Sequence, residues 1–257
     1  MRVPIQREVT AMTATRPDLA GGGPALRERP NEIVTLDARG EDSSADRMRT
    51  IGAWSARALC LIEGIYVVVF VIGFASLGNI RDPLPDPYLA IGEVLILVMA
   101  PIMVALMLAI HQCAPKQAKP FTQVALGWMI AAAAFTTVVH FVELTVARHI
   151  DPATFTGYAR IFGWEWPSTF YAIDIVAWDV FFGLSLLFAV PAFAHRNDAT
   201  LIRRGLIASG SLCLIGLIGP FANAIAWREL GILGYTIAFG LTCLPLSRVF
   251  KADAPTK

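Results

Sequence analysis

The stretch VVHFVELTVARH at 138–149 puts His140 and Glu143 inside one of the most apolar parts of the chain. Three residues apart on a helix, the two share a face. Four further acids stand in equally apolar surroundings: Glu63, Glu93, Asp174 and Asp179. Charge in hydrocarbon is costly, so such residues face a protein interior and are functional candidates by default. An imidazole with nearby carboxylates is a normal proton relay in membranes. A second chemistry is metal binding, with His140 and Glu143 as the first donors to a hard or borderline cation. Only one histidine lies at that depth, which argues against a typical zinc site. Haem held by two histidines is the least favoured of the three, because His111, His149 and His195 all fall at helix ends. The plain alternative to all three is a buried hydrogen-bonded network that only fixes helix packing.

These groups need helices to hold them. The chain has 257 residues, 56% of them hydrophobic and 16% charged, well below the roughly 25% charge of a soluble domain. A net charge of +1 leaves no electrostatic footprint for a nucleic acid. Six apolar blocks, at 58–79, 88–111, 121–147, 168–191, 203–220 and 229–247, are near the roughly 20 residues that cross a bilayer as a helix. The expected fold is all-α, a polytopic six-helix transmembrane bundle over 51–250. Its partner is the lipid bilayer. A disordered tail is expected over 1–50, where eight Arg and eight Asp or Glu mix with Gly and Pro, and a short C-terminal tail over 251–257. No secretory signal peptide is visible near the N-terminus, and Met48 is an alternative start to Met1.

Six spans put both termini on one side. With both in the cytoplasm, the inner segments carry eleven Lys and Arg and the outer segments four, which is the positive-inside pattern. This threading places Glu93, His140, Glu143, Asp174 and Asp179 in the outer half of the membrane, on three helices. Glu63 lies nearer the cytoplasmic end and is expected to snorkel, or to pair with Arg57 or Arg204. Tyr171, Asp174 and Trp178 share a face of helix 4, whereas Asp179 points away from Asp174 by about 140° on an α-helix. Both acids then face protein only if helix 4 is central. Arg228 and Glu229 open helix 6. The expectation there is an ordinary solvated pair, with a swing of Arg228 over the acids as the alternative.

The longest connection, RHIDPATFTGYARIFGWEWP at 148–167, carries Phe155, Tyr158, Phe162, Trp164 and Trp166. It reads as an aromatic belt at the headgroups, with a lid over an outward-facing site as the second reading. Gly205, Ser209 and Cys213 form a small-residue row on helix 5 that lets another helix approach closely. Packing within the bundle is the expected use, and a homo-oligomer seam through helix 5 the alternative. The four cysteines have no CxxC spacing and imply no disulfide framework. There is no Walker A sequence, HExxH, GxSxG or GxGxxG dinucleotide motif, so the pattern names no cofactor and no reaction.

FGWEWPSTFYAIDIVAWDVFFGLSLLFAVPAF at 162–193, together with HFVELT at 140–145, resembles uncharacterised bacterial six-helix integral membrane proteins of unknown function. The resemblance covers 55–250 and implies a multi-pass protein of the bacterial cytoplasmic (inner) membrane. It carries no activity and adds no site residues. The functional expectation is small-molecule or proton-coupled transport through the acid and histidine cluster: His140, Glu143, Asp174, Asp179 and Glu93. A membrane-embedded metal-dependent enzyme acting on a lipid, and a structural or partner-binding membrane protein, are the alternatives.

Overall fold

A computed structural model describes residues 30–79 and 84–252, with side chains described from Ser44 onward. The chain divides into Met1–Arg39 and Gly40–Lys257, and all six long apolar helices belong to the second unit. Those spans are Ser44–Ala75, Tyr88–Cys113, Lys116–His149, Thr169–Phe193, Asn197–Phe221 and Ile225–Ala252. Each is long and apolar enough to cross a membrane, and there is no strand among the described residues. Every predicted block is a helix. The largest departure is the first, whose helix runs Pro30–Ala75. It thus takes in residues 30–50, which composition assigns to the tail. The rest of the expected tail, residues 1–29, lies outside the described residues, as do 253–257.

The short connections at 114–118 and 194–199 lie at one end of the bundle, here the terminal end, where Gly52 of span 1 meets Phe250 of span 6. The described connecting residues 76–79 and 84–87, with the connections at 146–168 and 222–227, lie at the other, the loop end. At the loop end, Arg148 pairs with Asp86, tying the end of span 3 to the turn before span 2.

Close approach of the helices follows from small side chains, since lipid gives no hydrophobic drive for helices to associate. Spans 2 and 3 pack with Ala100, Ala125, Ala132 and Ala133 buried. Span 4 docks on span 3 through Ser185, whose hydroxyl donates to the Ala125 carbonyl at 2.7 Å. A Cβ on Gly210 would lie 2.7 Å from the Gly183 carbonyl oxygen, so spans 4 and 5 meet backbone to backbone. The predicted row on span 5 is used against span 6. Gly205 faces Thr242, Ser209 donates to the Gly234 carbonyl at 2.7 Å, and Cys213 faces the Gly231 carbonyl. The small-residue face offered as a homo-oligomer seam is therefore occupied within the chain.

Two spans are not regular α-helix. Span 4 contains a π segment, Val176–Phe182, and span 6 contains another, Gly234–Ala238. Span 1 is the least buried of the six. It packs at its terminal half through Gly52, Ala53, Ala56 and Leu59 and again at Gly73, which lies against Leu84 and Tyr88. Between these contacts it reaches the bundle through side chains, Glu63 against Gly240 and Phe70 against Gly92, and a cavity opens beside them.

Candidate functional site

Span 4 begins where Ser168 caps it, its hydroxyl oxygen accepting from the Tyr171 amide at 3.2 Å. This cap sets the register that aims Asp174 inward. Span 3 presents His140 to it, and span 2 presents Glu93. His140 Nδ1 lies 2.5 Å from Glu93 Oε2, and its Nε2 lies 3.4 Å from Asp174 Oδ1, close enough for an ion pair but without hydrogen-bond alignment. Of the predicted residues, Glu93, His140 and Asp174 are thus in direct contact across three helices.

Arg228 extends this cluster. Its Nη2 donates to Asp174 Oδ2 at 3.3 Å, and its Nε stands 3.2 Å from Asp179 Oδ2. The expected solvated pair with Glu229 does not form: Arg228 is only 1% exposed. The reason is local. A buried guanidinium needs paired, hydrogen-bonding partners, and two acids of span 4 supply them. Its guanidinium also lies over the Tyr171 and Tyr235 rings, at 5.7 and 5.3 Å to their centroids.

Asp179 reaches this arginine because span 4 is not α-helical there. In a π-helix, bonds run i to i+5, so residues five apart stack on one side. Asp174 and Asp179 are five apart, and the π segment entering at Val176 turns the expected divergence into convergence. Two glycines make room for Asp179. A Cβ on Gly231 would lie 2.3 Å from its Oδ1, and one on Gly216 would lie 3.1 Å from its Oδ2. Asp179 is therefore walled in behind Arg228, while Asp174 faces the cavity.

That cavity has a volume of about 1570 Å³ and is lined by Glu63, Glu93, His140, Glu143, Asp174 and Arg228, among mostly apolar and aromatic walls. Glu63 is the second correction. It neither snorkels nor pairs with Arg57, which is exposed and lies over Trp54. Six residues apart on an α-helix, Arg57 and Glu63 sit about 120° apart, on different faces. Glu63 is 3% exposed, and its Oε2 has no hydrogen-bond partner. On span 1 it shares one face with Tyr66, Phe70 and Phe74, all lining the cavity. From Phe74 to Glu63 is eleven residues, or about 16 Å along the axis, so the cavity reaches about halfway through the hydrocarbon. Glu143 is buried in the same wall, and its Oε2 also lacks a hydrogen-bond partner.

The connection at 148–167 covers part of this cavity. Trp164 stacks on His140, the rings 5.4 Å apart and 14° from parallel, and Phe162 meets Phe170 edge-on at 4.9 Å. Its one helical turn is Tyr158–Ile161. Burial raises the Tyr158 phenol above its ordinary pKa, and the Glu143 carboxylate adds to the rise. At least Phe162 and Trp164 thus turn toward the cluster, as the lid reading has it. Among the described residues no three of His, Cys, Asp and Glu are grouped as a metal ion requires, and the His140 Nδ1 is engaged by Glu93.

The residues missed in the sequence are Tyr66 and Tyr235, half-buried on spans 1 and 6. Tyr235 is signalled only by its spacing of seven from Arg228, which puts both on one face. No family model matches the chain, and neither the curated proteins nor the solved structures contain a match.

Proposed function

We propose that this protein is a proton-coupled carrier of small molecules in a bacterial cytoplasmic membrane, with both termini cytoplasmic and the cavity open toward the outer face. The observation that carries this reading is the continuous line of ionisable contacts from Glu93 through His140 and Asp174 to Arg228 along the wall of a large cavity, with Asp179 behind Arg228. His140 faces one carboxylate with each ring nitrogen. A proton accepted at one nitrogen is released from the other, so the imidazole passes it between Glu93 and Asp174. Closing the 3.4 Å gap at Nε2 requires only a small shift of either side chain. Arg228 competes with the proton for Asp174, and its second partner, Asp179, holds it while Asp174 is protonated. A ligand in the cavity that disturbs the Asp174 to Arg228 contact changes the proton's place, which is what coupling requires. The charge bias of the connecting segments supports the orientation.

The test is proton movement in liposomes carrying the purified protein and a trapped pH-sensitive dye. Organic cations, organic anions and neutral amphiphiles are added in turn. At least one class should drive a dye response that returns to the protein-free baseline in His140→Gln and Asp174→Asn. Protein that moves no protons with any class, although folded by its melting curve, would sink the reading.

A further inference from the structure

We infer that the cavity takes a lipophilic organic cation, held between Glu63 at its deep end and Glu143 beneath the loop. This rests on the cavity being a ligand site, as proposed above, and adds the ligand's charge and character.

Three observations support the charge. The first is the census of the walls. Four acids line the cavity within the spans, and the only bases there are His140 and Arg228. His140 is taken by Glu93 and Asp174, and Arg228 by Asp174 and Asp179. Arg160 and Glu165, both on the loop, add one charge of each sign to the lining outside the spans. Among the described residues within the spans, no unpaired cation lines the cavity for an anionic ligand, while neither Glu63 nor Glu143 has a cation within ion-pair distance. The second is their burial. Glu63 is 3% and Glu143 6% exposed, and each has an oxygen without a hydrogen-bond partner while lining the cavity. A neutral apolar ligand would bury both carboxylates against hydrocarbon, the costliest arrangement for such a group. The third is the aromatic lining. Tyr171 and Tyr235 already hold the Arg228 cation over their faces. Tyr66, Phe70, Trp164 and Trp178 offer further rings, and aromatic walls with a carboxylate are the ordinary recognition surface for a quaternary cation.

Size agrees. The cavity exceeds the roughly 300–1,000 Å³ of a typical small-molecule site, so a bulky multi-ring cation fits.

The experiment is equilibrium dialysis of the full chain in detergent against tetraphenylphosphonium and, separately, tetraphenylborate, with protein-free micelles as baseline. The two ions have nearly the same shape and opposite charge, so the comparison needs no variant. Saturable binding of the phosphonium and none of the borate above baseline is expected. Glu63→Gln and Glu143→Gln should each weaken phosphonium binding by at least about tenfold, the loss when a desolvated charge partner becomes neutral. Glu229→Gln, at an exposed position, should not change it. Equal binding of both ions, binding of neither, or phosphonium binding untouched by both glutamine variants would overturn the inference. Binding without proton movement in liposomes would leave it standing and remove only the carrier function. Proton movement driven by anions or neutral compounds alone would do the reverse.

Discussion

Replacing Arg228 with glutamine tests the electrostatic centre of the site. Arg228 stands 3.3 Å from Asp174 and 3.2 Å from Asp179, and all three side chains are buried. At an effective dielectric of about 20, one charge pair at that distance attracts by about 5 kcal/mol. Burying each ion costs several kcal/mol, so the intact triad sits near break-even. Arg228→Gln removes the one cation and leaves two carboxylates buried five residues apart on a π segment. Breaking a buried pair in this way destabilises by about 3–5 kcal/mol. In a chain of this size each kcal/mol moves the melting temperature by about 2–4 °C, so a fall of about 6–20 °C is expected. The assay is thermal unfolding of the detergent-purified protein at neutral pH. Variants are compared at one heating rate, because unfolding of such proteins is often irreversible. A companion carrying Arg228→Met, Asp174→Asn and Asp179→Asn together should recover most of the loss, since it removes the charges as a set. Arg228→Gln melting with the wild type would refute the reasoning. A companion melting as low as the single variant would show that the guanidinium is needed for its shape and not for its charge.

Two further outcomes follow from the packing and the threading. Gly210→Ala puts a Cβ 2.7 Å from the Gly183 carbonyl oxygen, where backbone must move, and should cost about 1–3 kcal/mol in the same melting assay. Gly64→Ala meets nothing within 4 Å and should be neutral or gain about 0.5–1 kcal/mol from helix propensity. For orientation, a single cysteine at Thr154 in a cysteine-free background should react with an impermeant maleimide on intact cells, and one at Gln117 only after the cells are opened. The opposite pattern would reverse the threading and turn the cavity mouth toward the cytoplasm.

The spans were legible because hydrocarbon leaves the backbone few choices. An apolar run of about twenty residues must be helix, so composition alone locates all six. The small-residue row on span 5 was legible for a similar reason, since glycine, serine and cysteine at four-residue spacing have little use except close approach. The limits of span 1 were not legible. Its apolar core is followed backward by charged residues that also form helix, and no proline or cap separates them after Pro30.

The acid and histidine set was legible as a set, because burying charge in lipid is costly enough to single out each member. How its members meet was not. Arg228 beside Glu229 has the same local pattern whether the pair is solvated or the arginine turns inward. Only the position of span 4 decides between them, and that is a tertiary fact. Asp179 is the sharper case. An α-helical wheel sends it away from Asp174, and burying both then required a helix surrounded by protein. Span 4 is indeed, with span 6, the most buried of the spans, each with 56% of its apolar window inside. Yet the two acids converge for a different reason, the extra residue per turn in Val176–Phe182. A π segment has no hydrophobic period that distinguishes it over seven residues. It widens the helix at a cost in backbone geometry and recurs at functional sites. Here it allows one arginine to bind two acids, leaving Asp174 in the cavity wall with a partner on either side. An arrangement that served packing alone would not require Asp174 to face both His140 and Arg228 at the edge of open volume.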